Sequence, residues 1–178
     1  RYTYILATAY EEKKLYAPAL VTLRKIPPEA ELYGNARIRI AMILKKEGKT
    51  PEAVTVLEQA IKSKRDIPGL YVYLASLYEE GKDPAGAERL LKEGLLILPR
   101  NTDLHYALGT LYEKTGRYDE GIQQMKAVLK IDPDHADALN FIGYSYADRG
   151  VNLGEAEKLI LKAMKLKPGN GYITDSLG

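Results

Sequence analysis

The amino-acid sequence predicts an all-α solenoid built from antiparallel helix pairs. Three observations predict it: residue types recur every 34 residues, the local spacing of apolar residues is helical, and glycines divide each period into two helices. A single helix pair cannot bury its apolar face, so neighbouring pairs must stack on one another. We therefore expect a continuous stacked core and no single central one.

Four columns of residues define the period. In the first column, Leu or Ile is followed directly by the second column, which holds Ala or Gly. The third column also holds small residues and lies in the second half of each repeat. Small residues allow two crossing helices to approach closely. A tyrosine column three residues after the first small residue then fills the neighbouring groove. The apolar column is Leu6, Ile40, Leu74, Leu108, Ile142 and Leu177; the small columns are Ala7, Ala41, Ala75, Gly109, Gly143 and Gly178, and Ala19, Ala53, Ala87, Gly121 and Ala156.

These columns divide the chain into five repeats and part of a sixth. The chain starts inside the first repeat and stops soon after the sixth begins. We therefore expect it to be a single repeat array excised from a longer protein. The predicted boundaries are 1–33, 34–67, 68–101, 102–135 and 136–170, with a partial repeat at 171–178.

Glycine and proline mark the helix ends within each repeat. In the second to fifth repeats a glycine stands where the first helix should end, because glycine tolerates the left-handed conformation of a helix C-terminus. Thr50-Pro51 and Asp83-Pro84 then predict an N-cap followed by proline at the first helical position. The glycines are Gly48, Gly81, Gly116 and Gly150.

Two places depart from the regular pattern. Pro27-Pro28 falls inside the expected second helix of the first repeat, which should therefore stop near Lys25 and leave a loop of roughly eight residues up to Gly34. The fifth repeat has one extra residue within Gly150–Gly154, which predicts a longer turn.

The repeat resembles the tetratricopeptide repeat, and the fifth copy resembles bacterial members of that family. The most similar copy contains Leu104, Leu108-Gly109, Tyr112, Gly116, Tyr118 and Pro133. The early aromatic residue of the family is kept only at Tyr71. The resemblance implies a right-handed superhelical solenoid whose first helices line a concave face. It also implies a module that binds proteins or peptides and has no catalytic activity of its own.

The tyrosines fall into two sets. Seven of the 14 tyrosines occupy columns in which a large ring should pack against a neighbouring helix, and we expect a structural role for them. This packing set is Tyr10, Tyr16, Tyr71, Tyr78, Tyr112, Tyr118 and Tyr146.

The second tyrosine set belongs to the face of the first helices that the resemblance places in the concave groove. Aromatic rings mixed with small hydroxyls and amides suit recognition of an extended or helical peptide. The alternative is a solvated face with scattered tyrosines. The predicted peptide-binding residues are Tyr4, Thr8, Arg39, Met42, Val72, Tyr73, Ser76, Tyr106, Thr110, Asn140 and Tyr144.

Positive charge concentrates in the second repeat. A basic patch beside the groove could hold an acidic segment or a terminal carboxylate, and the alternative is an ordinary solvated helix face. Tyr4 and Thr8 stand where family members that clamp chaperone tails have Lys and Asn, so chaperone-tail binding is disfavoured. The candidate patch consists of Asn35, Arg39, Lys45 and Lys46.

Composition disfavours several other classes of function. The chain has no cysteine and only two histidines, so we expect no metal site, and we expect no cofactor. A net charge of +2 argues against nucleic acid. The longest uncharged stretch, Ile67–Tyr78, falls short of the ~20 apolar residues of a membrane span. Neither His105 nor His135 belongs to a catalytic motif, and Glu11-Glu12 and Glu79-Glu80 are solvent-facing carboxylates, so we expect no enzyme.

Two further interpretations remain open at this stage. The array could be a structural or self-assembly scaffold in a larger bacterial complex. The incomplete helix that contains Tyr172, Ile173 and Leu177 lacks its second helix, so we expect it to expose an apolar edge through which it could dock on another copy. It could also be the docking arm of a parent enzyme. The compartment is left open between cytoplasm and periplasm or envelope.

Overall fold

The computed structural model describes residues 1–176, without the side chains of residues 172 and 174. Over this range it contains helices and no strands, which confirms the all-α fold class. The predicted column positions Leu177 and Gly178 lie outside the described residues. The helices are α1 (Tyr2–Glu12), α2 (Tyr16–Arg24), α3 (Tyr33–Lys46), α4 (Thr50–Ser63), α5 (Pro68–Glu80), α6 (Pro84–Ile97), α7 (Thr102–Lys114), α8 (Tyr118–Ile131), α9 (Ala136–Asp148), α10 (Leu153–Leu166) and α11 (Gly171–Asp175).

The chain forms two compact units. The N-terminal unit, Arg1–Leu98, holds three helix pairs, α1–α2, α3–α4 and α5–α6. Within it, α2 packs on α3, α4 packs on α5, and the first helices α3 and α5 contact each other directly. Stacking of this kind buries the apolar column, because Ile40 and Leu74 are each only 1% exposed.

The C-terminal unit begins at Pro99 and contains α7–α8, α9–α10 and α11. Its core is continuous between the pairs: Met125 and Val128 of α8 pack with Phe141 and Ile142 of α9. Ile173 of α11 is fully buried with Leu139 and Ala163. The prediction of an exposed apolar edge on the last helix is therefore wrong for Ile173, because that side chain completes the core of the pair before it.

The two helices of a repeat cross where the small residues meet. A Cβ atom added to Gly121 would lie 3.0 Å from the carbonyl oxygen of Gly109 on the partner helix. A Cβ atom on Gly143 would lie 2.9 Å from the carbonyl oxygen of Ala156. In the N-terminal unit the alanines of the same columns are buried. The predicted reason for the small columns, close backbone approach, is thus confirmed.

The turns within repeats follow the prediction with two differences. Gly48, Gly116 and Gly150 adopt left-handed backbone conformations, but Gly81 does not, and Lys82 takes that conformation with φ +62°. The left-handed residue keeps the 34-residue register, because Gly48, Lys82 and Gly116 stand 34 residues apart. Gly81 lies one position before it, as the C-cap of α5 with φ −74°.

Helix starts differ in how they are capped. The Asp83 side chain accepts a hydrogen bond from the Gly86 amide at 2.8 Å, which confirms its predicted capping role. Thr50 is the first residue of α4 and not its N-cap, so that prediction is wrong by one position. Its hydroxyl therefore caps nothing, and Pro51 at the start of the helix removes an amide that would need a cap.

The packing role predicted for the tyrosines holds for most of them. Tyr71, Tyr112 and Tyr146 are buried, and the half-buried Tyr78 donates its hydroxyl to Glu58 at 2.9 Å. Tyr118 is less buried than these residues. Its side chain is 41% exposed and lies beneath the guanidinium of Arg149.

The first repeat confirms the effect of its two prolines. Its second helix, α2, has 9 residues, whereas α4, α6, α8 and α10 each have 14. Helix α2 ends at Arg24, and residues 25–32 form the loop that leads to α3. The shortened helix still contains the crossing residue Ala19, which is fully buried.

We predict that Gly143→Ala destabilises the protein by about 1–3 kcal/mol, because the added methyl group would overlap a backbone oxygen and Ile160. Urea denaturation followed by circular dichroism measures the change. Gly154→Ala on α10 is the matched control, since a Cβ there meets nothing within 4 Å. Equal stability of the two variants would contradict the close-crossing interpretation.

Candidate functional site

The first-helix face of the N-terminal unit is organised around Arg39 on α3. Its Nε donates to a Glu11 carboxylate oxygen and its Nη1 donates to the Tyr4 hydroxyl at 3.2 Å. The guanidinium also lies 5.5 Å from the centre of the Tyr4 ring. Burial alone would lower the pKa of Arg39, but these two hydrogen bonds more than offset it and raise the pKa. Arg39 is therefore held charged and in one position.

A groove of about 330 Å³ lies beside Arg39. Its wall combines the polar residues Asn35 and Glu11 with the apolar side chains of Ile38 and Met42. Met42 is 50% exposed, which is unusual for a large apolar side chain in the middle of a helix that is otherwise well packed. The groove thus offers an apolar contact next to oriented hydrogen-bond donors. Four of the predicted residues, Tyr4, Asn35, Arg39 and Met42, meet there.

The candidate basic patch is largely neutralised within the molecule. Arg39 pairs with Glu11, and Lys45 Nζ lies 2.6 Å from a Glu80 carboxylate oxygen on α5. The Lys46 ammonium lies 5.1 Å from the centre of the Tyr16 ring. These three cations contact neighbouring helices, and Asn35 and Lys46 are the exposed members of the candidate patch.

The predicted small hydroxyls already use their protons. Thr8 donates to the Tyr4 carbonyl at 3.1 Å, Ser76 to the Tyr73 carbonyl at 2.7 Å, and Thr110 to the Ala107 carbonyl at 2.9 Å. Each hydroxyl oxygen can still accept a hydrogen bond. Tyr73 and Val72 are half-buried on α5, and burial raises the pKa of Tyr73 despite the opposing effect of Lys45.

The first-helix face of the C-terminal unit contains two predicted tyrosines in different settings. Tyr106 on α7 lies against the core, with its ring centre 5.7 Å from that of His135. Tyr144 on α9 is 43% exposed. Tyr106 is therefore part of the packing between α7 and the start of α9, whereas Tyr144 offers its ring to solvent.

Asn140 does not lie on an exposed face, contrary to the prediction. Its exposed fraction is 0%, and neither atom of its side-chain amide has a hydrogen-bond partner within the described residues. Its neighbours along α9 are packed on both sides: Leu139 lies with Ile173 of α11, and Phe141 lies in the core with α8. The sequence pattern aligns Asn140 with Tyr4 and Tyr106, which are half-buried, so this column borders the core and is fully enclosed at Asn140.

Sequence reasoning missed an acidic pair in the C-terminal unit. Burial, and then the negative charge of nearby Asp148, raises the pKa of Glu113. Both residues stand at the ends of first helices, where Glu11 and Lys45 form ion pairs in the N-terminal unit. Comparing the charges at equivalent positions of the repeats would have shown that two acidic residues stand here where the N-terminal unit has pairs of opposite charge.

Residues 1–176 hold neither a cluster of metal ligands nor a membrane-spanning helix. No group of three or more His, Cys, Asp or Glu side chains is arranged to hold a metal ion in that range. Within the same residues, no helix has both the length and the apolar character that crossing a bilayer requires.

Comparison with known proteins identifies the family of this chain. Two family models described as tetratricopeptide repeat match residues 38–101 and 77–143. The chain belongs to the tetratricopeptide repeat family. The chain is also 34% identical over 169 residues to a TPR repeat-containing protein of Pseudomonas aeruginosa, a match that covers 94% of this chain and 28% of that protein. The chain therefore spans about a quarter of the length of this bacterial relative.

Solved structures agree with this fold. A thermophilic tetratricopeptide repeat protein of Thermus thermophilus superimposes with a TM-score of 0.70 at 21% identity, covering 98% of this chain and 97% of the other. YrrB, described as a TPR protein with an unusual peptide-binding site, superimposes with a TM-score of 0.66 at 20% identity, covering 98% and 90%. Both matches show the tetratricopeptide repeat fold, as predicted.

We predict that Glu113→Gln stabilises the protein near neutral pH and raises the Tm by about 1–3 °C. The folded pKa lies above the ordinary value of 4.5, so the folded state holds more protons in the interval between them. Stability from this group is therefore lost as pH rises through that interval. The uncharged amide of the variant removes this pH dependence of stability, and it also removes the repulsion from Asp148.

Thermal unfolding between pH 4 and 8 measures the effect, with the exposed Glu157→Gln as the control for loss of one charge. An equal change in both variants, or a lower Tm for Glu113→Gln at pH 7, would show that Glu113 is not destabilised by its surroundings.

Proposed function

We propose that this chain is a non-catalytic module that binds a peptide or an extended segment of a partner protein on the first-helix faces of its repeats. Membership of the tetratricopeptide repeat family supports an interaction module in general. The observation that favours this particular face is the groove beside Arg39, in which Met42 is 50% exposed next to a guanidinium held by two side chains.

The chemistry of the groove indicates how a peptide would bind. The charge of Arg39 is balanced by Glu11, so the guanidinium would act as an oriented donor toward a peptide carbonyl more than as a bare positive charge. Asn35 can both donate and accept, which matches the alternation of amide and carbonyl along an extended backbone. Met42 is flexible and polarisable, and it would accommodate an apolar side chain of the partner.

Preorganisation supports the same proposal. Arg39 and Tyr4 constrain each other before any ligand arrives, so less side-chain entropy is lost on binding. YrrB, which shares the fold, is a protein described as having a peptide-binding site. In the C-terminal unit, the 43% exposed ring of Tyr144 would provide a separate aromatic contact.

We predict that Met42→Ala and Asn35→Ala each weaken peptide binding by about five- to tenfold, because each removes a contact within the groove. The measurement uses peptides selected from a random display library on this chain, with affinity determined by fluorescence anisotropy. Val21→Ala is the matched control, since Val21 is 59% exposed on α2 and lies outside the residues that line the groove.

Selected peptides that bind both groove variants as tightly as the original chain would contradict the proposal. Tyr144→Ala tests the second contact without harming the fold. Tyr106 is unsuitable for this purpose, because its ring packs on the core and its removal would itself destabilise the protein.

A further inference from the structure

A second cavity lies in the N-terminal unit, away from the groove beside Arg39. It has a volume of about 570 Å³, within the roughly 300–1,000 Å³ range of small-molecule sites in proteins. It shares no lining residue with that groove. The lining residues are Arg24, Pro28, Tyr33, Arg37, Ile40, Val56, Gln59, Ala60 and Ser63.

The shortened helix α2 accounts for the cavity. Helix α2 has 9 residues and α4 has 14, so α2 lacks the last turn and a half that a full second helix would contribute. The cavity is bordered by Arg24, the last residue of α2, and by Pro28 in the loop that replaces the missing turns. It is therefore a consequence of Pro27-Pro28, and the unbroken second helices have no equivalent loop.

The charges that line the cavity are all positive. Two arginines face it, from α2 and α3, and no carboxylate belongs to its lining. Within residues 1–176, neither Arg24 nor Arg37 forms an ion pair, whereas Arg39 on the other face is paired with Glu11. Two neighbouring cations without a counter-charge repel each other, and an anion between them would relieve that repulsion.

Arg37 is held in place without using all of its donors. Its Nη2 donates to the Ile26 carbonyl at 2.8 Å and to the Arg24 carbonyl at 3.5 Å. The guanidinium carbon lies 4.7 Å from the centre of the Tyr33 ring. Its Nε and Nη1 have no hydrogen-bond partner among the described residues, so N–H donors remain for a ligand.

Apart from the arginines, the lining combines apolar and polar side chains. Ile40 and Ala60 form buried parts of it, and Val56 and Pro28 are half-buried. Gln59 adds a side-chain amide at the rim. A ligand that fits this surface would have one anionic end for the arginines and an aliphatic part for the apolar wall.

We propose that this cavity is a second binding site, for an anionic group, carboxylate or phosphate, attached to an aliphatic stem. This site is separate from the groove beside Arg39 that we propose for peptides. The two share no lining residue, only the groove contains a carboxylate, and only the cavity arises from the proline-shortened helix.

The test uses the full 178-residue chain and three probes: N-acetyl-leucine, its neutral analogue N-acetyl-leucinamide, and inorganic phosphate. Amide chemical shifts of the labelled protein report where each probe binds. We expect N-acetyl-leucine to shift the amides of Arg37, Gln59 and Ser63, and to bind at least about tenfold more tightly than the neutral amide. Tighter binding of phosphate than of N-acetyl-leucine would identify a phosphate-bearing ligand.

Variants separate the site from general electrostatics. Arg24→Gln should weaken N-acetyl-leucine about five- to tenfold, and its exposed side chain makes no contact on which the fold depends. Arg37→Gln should weaken it further, but it also removes the bonds at the end of α2, so its folding must be checked. Lys62→Gln is the control, since Lys62 is exposed on α4 and outside the lining.

Equal affinity for the acid and the amide would overturn the proposal, as would an Arg24→Gln variant that binds like Lys62→Gln. Absence of shifts at the cavity with both anionic probes would also overturn it.

Discussion

The close crossing of the two helices in each repeat is the constraint on which the rest of this structure depends. Where Gly109 and Gly121 meet, the backbones are so near that even one methyl group would press on a carbonyl oxygen. Contacts at this distance fix the rotation of each helix about its axis, since only one face is small enough to cross. That rotation then determines which side chains meet the next repeat and which remain available for binding.

The first repeat shows that the crossing and the helix length are separate requirements. Pro27-Pro28 removes the distal part of α2, yet the crossing residue Ala19 and the core residue Leu23 are both fully buried. The proline pair therefore leaves the stacking intact and changes only what lies beyond it. The result is a cavity at the end of the shortened helix. Arg37 borders this cavity on one side and donates hydrogen bonds to the carbonyl groups at the end of the helix. A loss of regular structure has in this way created a concave surface lined by two arginines and by apolar side chains such as Ile40.

Much of the fold, but less of the site, could be predicted from the sequence. Periodicity and small residues report on local packing, so they indicated the helices, the crossing and the effect of the prolines. Asn140 was misplaced because its column borders the core, as the half-buried Tyr4 and Tyr106 at the equivalent positions show, and the pattern does not report how far each member is enclosed. The Arg39–Glu11 pair was missed because its partners are separated along the chain and only the stacking joins them. Lys82 was missed because Gly81 stands one position before the 34-residue register that the left-handed residue keeps.

The two faces of the N-terminal unit differ in how their positive charges are balanced. On the first-helix face, each cation that joins two helices already has its counter-charge or an aromatic ring, as with Lys45 and Glu80. Partly exposed ion pairs of this kind contribute only about 0–1 kcal/mol to stability, so their main effect is to orient side chains. That face can therefore bind through shape and hydrogen bonds with little net charge. Around the cavity of α2 no carboxylate belongs to the lining, so an anion that balanced these arginines would come from outside the lining residues.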